Sequence, residues 1–563
     1  MPPNVVDPPM GNDPEGVFNG MELKGSASTT QLVSKKSEDN YNLRIFQSTL
    51  NLISHIFIGV TVGVLLLHTL RNGLPVGATP QHIILCVLGY QLLMAEAILS
   101  LSPNNGWSNR LRLVDKRRAH WILQLLGSGL ALGGSFLKIL DKDIHWNTLH
   151  GQFALVAMVF TSVSLVNGLT SLWAYELRKL WIPQSLSKLT HICFGIVAFA
   201  AASITLCYGL DKNLFRNWAG PEFTITMIVI VATFTTIIII DPFITFYTKG
   251  RVRIVSLTRT HKGGTDKGQD GPYERQEPVG AAALAEGQRR APAEALEAEE
   301  PQVVLKMPPN VVDPPMGNDP EGVFNGMELK GSASTTQLVS KKSEDNYNLR
   351  IFQSTLNLIS HIFIGVTVGV LLLHTLRNGL PVGATPQHII LCVLGYQLLM
   401  AEAILSLSPN NGWSNRLRLV DKRRAHWILQ LLGSGLALGG SFLKILDKDI
   451  HWNTLHGQFA LVAMVFTSVS LVNGLTSLWA YELRKLWIPQ SLSKLTHICF
   501  GIVAFAAASI TLCYGLDKNL FRNWAGPEFT ITMIVIVATF TTIIIIDPFI
   551  TFYTKGRVVF KRN

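Results

Sequence analysis

Charge is scarce in this sequence, and cysteine scarcer. Asp, Glu, Lys and Arg supply 15% of 563 residues against 48% apolar ones, too little to clothe a soluble surface and in keeping with membrane-protein composition. The opening MPPNVVDPPMGNDPEG lacks a basic start, an apolar core and a small-residue cleavage end, so it is not expected to be a secretory signal. The first apolar helix is expected to direct insertion. The six cysteines, Cys86, Cys193, Cys207, Cys392, Cys499 and Cys513, lie inside apolar runs without zinc-type spacing, where free cysteine behaves as a small hydrophobe. The net charge is +11, yet the cations sit at the ends of apolar runs and form no continuous patch with interleaved aromatics. They read as topology determinants, with no nucleic-acid partner.

What is present is long apolar runs. A bilayer-crossing helix takes about 20 mainly apolar residues, and the stretches near 52–70, 82–101, 120–140, 150–173, 190–210 and 222–247 qualify. Residues 307–558 then repeat residues 1–252 without a difference, at an offset of 306. The expectation is an all-α membrane protein of six transmembrane helices per unit and two units, twelve helices in all. The unit boundaries follow: a disordered cytoplasmic N-terminus at 1–44, a first domain at 45–252, a disordered linker at 253–306, a disordered segment at 307–350, a second domain at 351–558 and a tail at 559–563. The linker is rich in Gly, Ala, Pro, Glu and Arg and cannot bury enough apolar surface to fold. Perfect identity, Met307 at the head of the second copy and different tails fit either two gene copies joined by read-through or a recent fusion. In both cases the functional module is the 252-residue unit.

Loop 102–119 carries Arg110, Arg112, Lys116, Arg117 and Arg118, and loop 174–189 carries Arg178, Lys179 and Lys188. The opposite loops hold Arg71, Lys142, Lys212 and Arg216, with Lys138 just inside a helix end. The positive-inside rule makes the first set and the termini cytoplasmic. Trp107, Trp146, Trp181 and Trp218 lie near helix ends, where an aromatic belt would sit.

Four histidines open four successive spans: His82, His120, His150 and His191. Successive spans run in opposite directions, so His82 and His150 share a depth near the non-cytoplasmic face, and His120 and His191 share one near the cytoplasmic face. A lone membrane histidine is usually a hydrogen-bonded or headgroup residue, but four in this pattern are a functional signal. Zinc would need four ligands, and no Cys, Asp or Glu stands in register to complete a site. Haem brings four equatorial nitrogens and needs only axial ligands, which helix bundles supply from facing side chains. Gly127, Gly129, Gly133, Gly134 and Gly195 would let a flat macrocycle approach, although small residues also serve helix packing. At 1.5 Å per residue, ligands near each face would leave two irons roughly 20 Å apart, a path for electrons across the bilayer.

The runs PQHIILCVLGYQLLMAEAILSLSP, RAHWILQLLG, LHGQFALVA and THICFGIVAF resemble the cytochrome b561 family over roughly 45–250 of each unit. The resemblance implies a haem-binding core from helices 2–5, with haem b at His82 with His150 and at His120 with His191. In the second copy the pairs are His388 with His456 and His426 with His497, two haems per unit and four per chain. It implies a transmembrane oxidoreductase: cytosolic ascorbate as donor, and monodehydroascorbate radical or ferric iron as acceptor, in an endoplasmic reticulum or vesicle membrane. A homodimer is a further expectation. The ascorbate-associated ALLVYR-like stretch of the better-studied branch is replaced here by AEAILSLSP. For an anionic donor the candidates are Lys116, Arg117 and Arg118, with Lys422, Arg423 and Arg424 in the second copy; Lys179 and Lys188 are further partners. The same cations would also meet anionic lipid.

Glu96 is expected near the cytoplasmic haem, on a proton route or as a satisfied protonated carboxyl. His55, His68 and His145 fall outside the helix-start pattern and read as interfacial or packing residues, with His145 a site for iron docking. Gln124, Asn167 and Asp241 read as interhelical hydrogen bonders. The competing functions are a haem-free transporter or channel using the histidines as an ion pathway, and an inactive scaffold. Histidines clustered at two faces, with an apolar middle and all four kept in both copies, favour the electron carrier.

Overall fold

Each apolar run is a helix because a bilayer interior leaves a backbone no partner but itself. The structure is a computed structural model and describes residues 26–73, 76–173, 184–262, 332–379, 382–479 and 490–562. The first repeat contains α1 (Ser26–Leu70), α2 (Ala78–Leu101), α3 (Leu113–Leu140), α4 (Leu149–Trp173), α5 (Gln184–Leu210), the short α6 (Asn213–Ala219) and α7 (Pro221–Lys262). The second contains α8 (Ser332–Leu376), α9 (Ala384–Leu407), α10 (Leu419–Leu446), α11 (Leu455–Trp479), α12 (Gln490–Leu516), α13 (Asn519–Ala525) and α14 (Pro527–Arg562). Twelve of these helices are long and apolar enough to cross a membrane, and no strand occurs among the described residues. The chain is a multi-pass membrane protein of two six-span repeats.

Several boundaries differ from those read in the sequence. Helix α1 begins at Ser26, ahead of position 45, and α7 runs past 252 to Lys262. Helices α3 and α5 begin at Leu113 and Gln184, so His120 and His191 lie about two turns inside rather than in the first turn. Polar first turns extend these helices beyond the apolar run that marks the span. Arg178, Lys179 and Trp181 lie outside the described residues.

In the first repeat α2 packs on α3, α3 on α4, α4 on α5, and α5 back on α2. This closed ring of four helices has a sparse middle of Tyr90, Met94, Ala131, Ala157, Ala201 and Ala202. Helix α2 turns through a π-helical segment, Val87–Met94, where Gly89 meets α3: a Cβ on Gly89 would stand 2.6 Å from Gly127 O and Ala131 N. Such segments recur at functional sites. Gly127 and Gly134 also face α2, whereas Gly129 and Gly133 have nothing within 4 Å. Only half of the glycine stripe on α3 therefore serves close packing within the ring.

The described residues between 26 and 250 and between 344 and 562 fall in one compact unit, in which α1 and α8 meet closely. Gly59 on α1 meets Gly365 on α8, while Gly63 faces Val366 and Gly369 faces Val60: a Cβ on Gly59 would lie 2.1 Å from Ile362 O, and one on Gly365 the same distance from Ile56 O. Small residues four apart permit this approach in a membrane, where packing rather than water expulsion drives association. One buried cluster spans both repeats and includes Ile58, Leu65, Phe234, Ile364, Leu371 and Phe540. At one end of the crossing Trp218 stacks on Trp524 at 6.2 Å with planes 7° apart, and Arg71 and Arg377 lie over these rings. Between helices, Ser102 donates to Asp241, and Asn167 donates to Thr190 at 2.8 Å. Gln124 has no hydrogen-bond partner among the described residues.

Candidate functional site

The four-helix ring holds two histidine pairs. His82 on α2 faces His150 on α4 with ring centres 6.4 Å apart and planes at 77°. His120 on α3 faces His191 on α5 at 6.2 Å and 89°. The second repeat places His388 with His456 at 6.4 Å and His426 with His497 at 6.2 Å. The helix order dictates these pairs, because alternate helices start at the same face.

Each imidazole is oriented through Nδ1. His82 donates to Gly134 O at 2.9 Å, His120 to Ala97 O at 2.8 Å, His150 to Thr205 O at 2.9 Å and His191 to Ser164 O at 3.0 Å. A backbone carbonyl accepts only, so it places the proton on Nδ1 and leaves the Nε2 lone pair free, the arrangement found behind metal-bound histidines. Imidazole nitrogens bind metals at about 2.0–2.1 Å and stand roughly 1.1 Å from the ring centre, so a metal between two Nε2 atoms sets the centres about 6.3 Å apart. Both pairs match that spacing. Among the described residues no group of three or more His, Cys, Asp or Glu side chains converges, so each histidine pair stands without a third such side chain.

Two glycines make room for the rings. A Cβ on Gly168 would lie 3.0 Å from His191 Cε1, and one on Gly209 3.3 Å from His150 Cε1. Around His82 and His150 opens a cleft of about 1410 Å³ counting its mouth, reached by Tyr90, Trp146, Lys138, Lys142 and Lys212. Trp146 holds φ at 62°, an uncommon conformation for a bulky residue. Lys138 is engaged by Asp141 and Thr79, each at 2.6 Å. Burial, then the neighbouring Lys142 and Lys138, hold the Lys212 ammonium below the ordinary lysine value. The rim is therefore a site that favours an anion. His145 lies at this rim and bonds Ile139 O through Nε2 at 2.7 Å.

At the opposite end, Lys116 is half-buried and Arg117 and Arg118 are exposed. Arg118 pairs with Asp115 at 3.3 Å. Lys422, Arg423 and Arg424 repeat the arrangement, with Arg424 on Asp421 at 3.3 Å. Lys188 is exposed near the start of α5.

One cluster escaped sequence reading. His55 Nδ1 meets Glu96 Oε1 at 2.7 Å, its Nε2 meets Asn105 Oδ1 at 3.1 Å, and both ionisable side chains are 5% exposed. Glu96 therefore has a named partner on α1 and stands beside Ala97, whose carbonyl orients His120. His68 packs against Phe215 and Trp218. The 41-residue gap between His55 and Glu96 left no local signal.

Two segments, residues 81–216 and 387–522, match the family model for eukaryotic cytochrome b561, and each contains all four histidines of its repeat. Over 138 residues the chain is 33% identical to the transmembrane reductase CYB561D2 of Mus musculus, 34% to that of Homo sapiens and 32% to that of Bos taurus. Those residues are 24% of this chain and 61% of each relative, so the match spans about three-fifths of the relatives' length. No solved structure matches.

Proposed function

The chain is a tandem cytochrome b561 family protein, and on that footing we propose that each repeat is a transmembrane oxidoreductase holding two haem b groups. His82 with His150 and His120 with His191 are the ligands of the first repeat; His388 with His456 and His426 with His497 are those of the second. The observation that carries this reading is that two imidazoles face each other in each pair, with ring centres 6.2–6.4 Å apart and Nδ1 spent on a carbonyl, so that Nε2 of each would be available to a haem iron. When bound, the haems supply reversible one-electron chemistry.

The protein's part is to hold, orient and insulate. Carbonyls of Gly134, Ala97, Thr205 and Ser164 fix the imidazoles. Tyr90, Met94 and four alanines pack together in the middle of the ring. His82 with His150 and His120 with His191 would hold the two groups, one pair near each end of the ring. Lys116, Arg117 and Arg118 attract anionic ascorbate on the cytosolic side. Lys142 and Lys212 favour an anionic acceptor on the other, either monodehydroascorbate or chelated ferric iron. The loop cations support cytosolic termini, in an endoplasmic reticulum or vesicle membrane.

The test is the haem-to-polypeptide ratio of detergent-purified, C-terminally tagged protein, read beside its size on a denaturing gel. Four haems on the full-length chain, reducible by ascorbate, are expected. Absence of haem under conditions that load another b-type cytochrome would overturn the assignment.

A further inference from the structure

Each repeat reaches into the entrance of the other. Tyr347, at the start of the second repeat's first span, donates its hydroxyl to Asp115 Oδ2 at 2.6 Å and accepts from the backbone N–H of Arg112 at 3.0 Å. The Arg112 guanidinium lies 4.4 Å above the Tyr347 ring. Tyr41 of the first repeat makes the same three contacts with Asp421, Arg418 N and the Arg418 guanidinium, at 2.6, 3.0 and 4.4 Å. The loops before α3 and α10 are exchanged in the same manner. Arg110 donates to Asn415 Oδ1 at 2.6 Å, Arg416 to Asn109 Oδ1 at 2.6 Å, and Arg416 lies within electrostatic reach of Lys116.

These contacts fall on the first turn of the helix that carries both the cations and His120. Asp115 holds Arg118 at 3.3 Å and is itself held by Tyr347. Arg112 is the residue before α3 and is fixed by its N–H and its side chain on the same phenol. The tyrosine therefore sets where Asp115 stands, and so how much of the Arg118 charge is left for a donor. We infer that the electron-donor entrance of each repeat is a composite of both repeats, with Tyr347 a positioning residue for the first and Tyr41 for the second. The inference rests on the electron-transfer reading above.

The test uses the full chain with one repeat silenced at its cytoplasmic ligand, so that the other reports. In the His426→Ala background the first repeat reports reduction by ascorbate; in the His120→Ala background the second does. Tyr347→Phe is introduced into both. The phenyl ring keeps the packing and removes only the hydroxyl, and one such hydrogen bond controls a change of about three- to tenfold. The expected result is an ascorbate KM raised by that factor in the first background and by a smaller factor in the second, with haem content and kcat held in both. Equal losses would mark a general structural effect, and a larger loss in the second background would place the tyrosine with its own repeat; either overturns the inference. As a second measurement, Tyr347→Phe and Asp115→Asn should be non-additive in KM, while Tyr347→Phe and Asp421→Asn should add; the reverse pattern also overturns it. Silenced parents that bind haem but take no electrons from ascorbate would instead overturn the assigned donor, a result visible before any tyrosine is changed.

Discussion

His55 and Glu96 meet at 2.7 Å inside the protein, and His361 and Glu402 repeat the contact. The pair joins α1 to α2, and Asn105 on the other ring nitrogen extends it to the loop before α3. Removing one partner of such a buried pair typically costs about 3–5 kcal/mol. Glu96→Ala should lower the thermal unfolding midpoint in detergent and loosen the α2–α3 loop to proteolysis. An unchanged midpoint would mean that the contact contributes little to stability.

His120→Ala removes one of two axial ligands at the cytoplasmic end. Haem content per chain should fall while the absorption from the His82–His150 site persists, because that pair shares no ligand with it. Haem content equal to the parent's would refute the pairing.

Replacing Lys116, Arg117 and Arg118 together by Gln should slow reduction by ascorbate at low ionic strength and leave haem content intact. The difference from the parent should shrink as salt rises, since exposed charges are screened within about 10 Å at 0.1 M. A salt-independent difference would point to a structural defect, and no difference at low salt would remove these cations from the donor path.

Gly168→Val tests the room beside the His191 ring. The first added carbon would already stand 3.0 Å from Cε1, and overpacking of this kind costs about 1–3 kcal/mol. The cytoplasmic haem should show a shifted spectrum or reduced occupancy with the other site unaffected. A parent-like spectrum at both sites would show that the ring does not depend on this glycine.

Lys212 gives the acceptor side a pH signature. Burial, with Lys142 and Lys138 nearby, weakens its hold on a proton in the folded state. The cost of the crowded charges is therefore full at neutral pH and is relieved as pH rises from the depressed value towards the unfolded one. Reoxidation of the reduced protein by ferric citrate should slow with rising pH, starting below the range where an ordinary lysine titrates. Lys212→Gln should flatten that decline; a profile identical to the parent's would exclude Lys212 from acceptor docking.

The spans and the histidine pairs were legible because both follow from one-dimensional facts: where apolar runs lie, and which end of each run carries a histidine. Faces were not legible. A membrane helix is apolar all round, so its pattern does not say which side meets a neighbour. That is why Gly129 and Gly133 were grouped with Gly127 and Gly134, although only the latter two touch α2. It is also why Gly168 and Gly209, the two glycines beside histidine rings, passed unnoticed. The spacing of Gly59 and Gly63 was a readable signal for the α1–α8 crossing. The π-helical turn at Val87–Met94 had no such signal, since it depends on how closely α3 approaches.

The mirrored crossing of Gly59 and Gly365 also has a genetic consequence. In a homodimer encoded by one copy, a change at this glycine would strike both sides of the contact in every assembly. Here the two sides are encoded separately, so a single mutation alters one of them and leaves the other intact. Covalent linkage keeps the two halves at high effective concentration beside each other. A change on one side would still meet the other repeat's backbone, since a Cβ on Gly59 alone would lie 2.1 Å from Ile362 O, so one lesion in such a chain reaches both repeats.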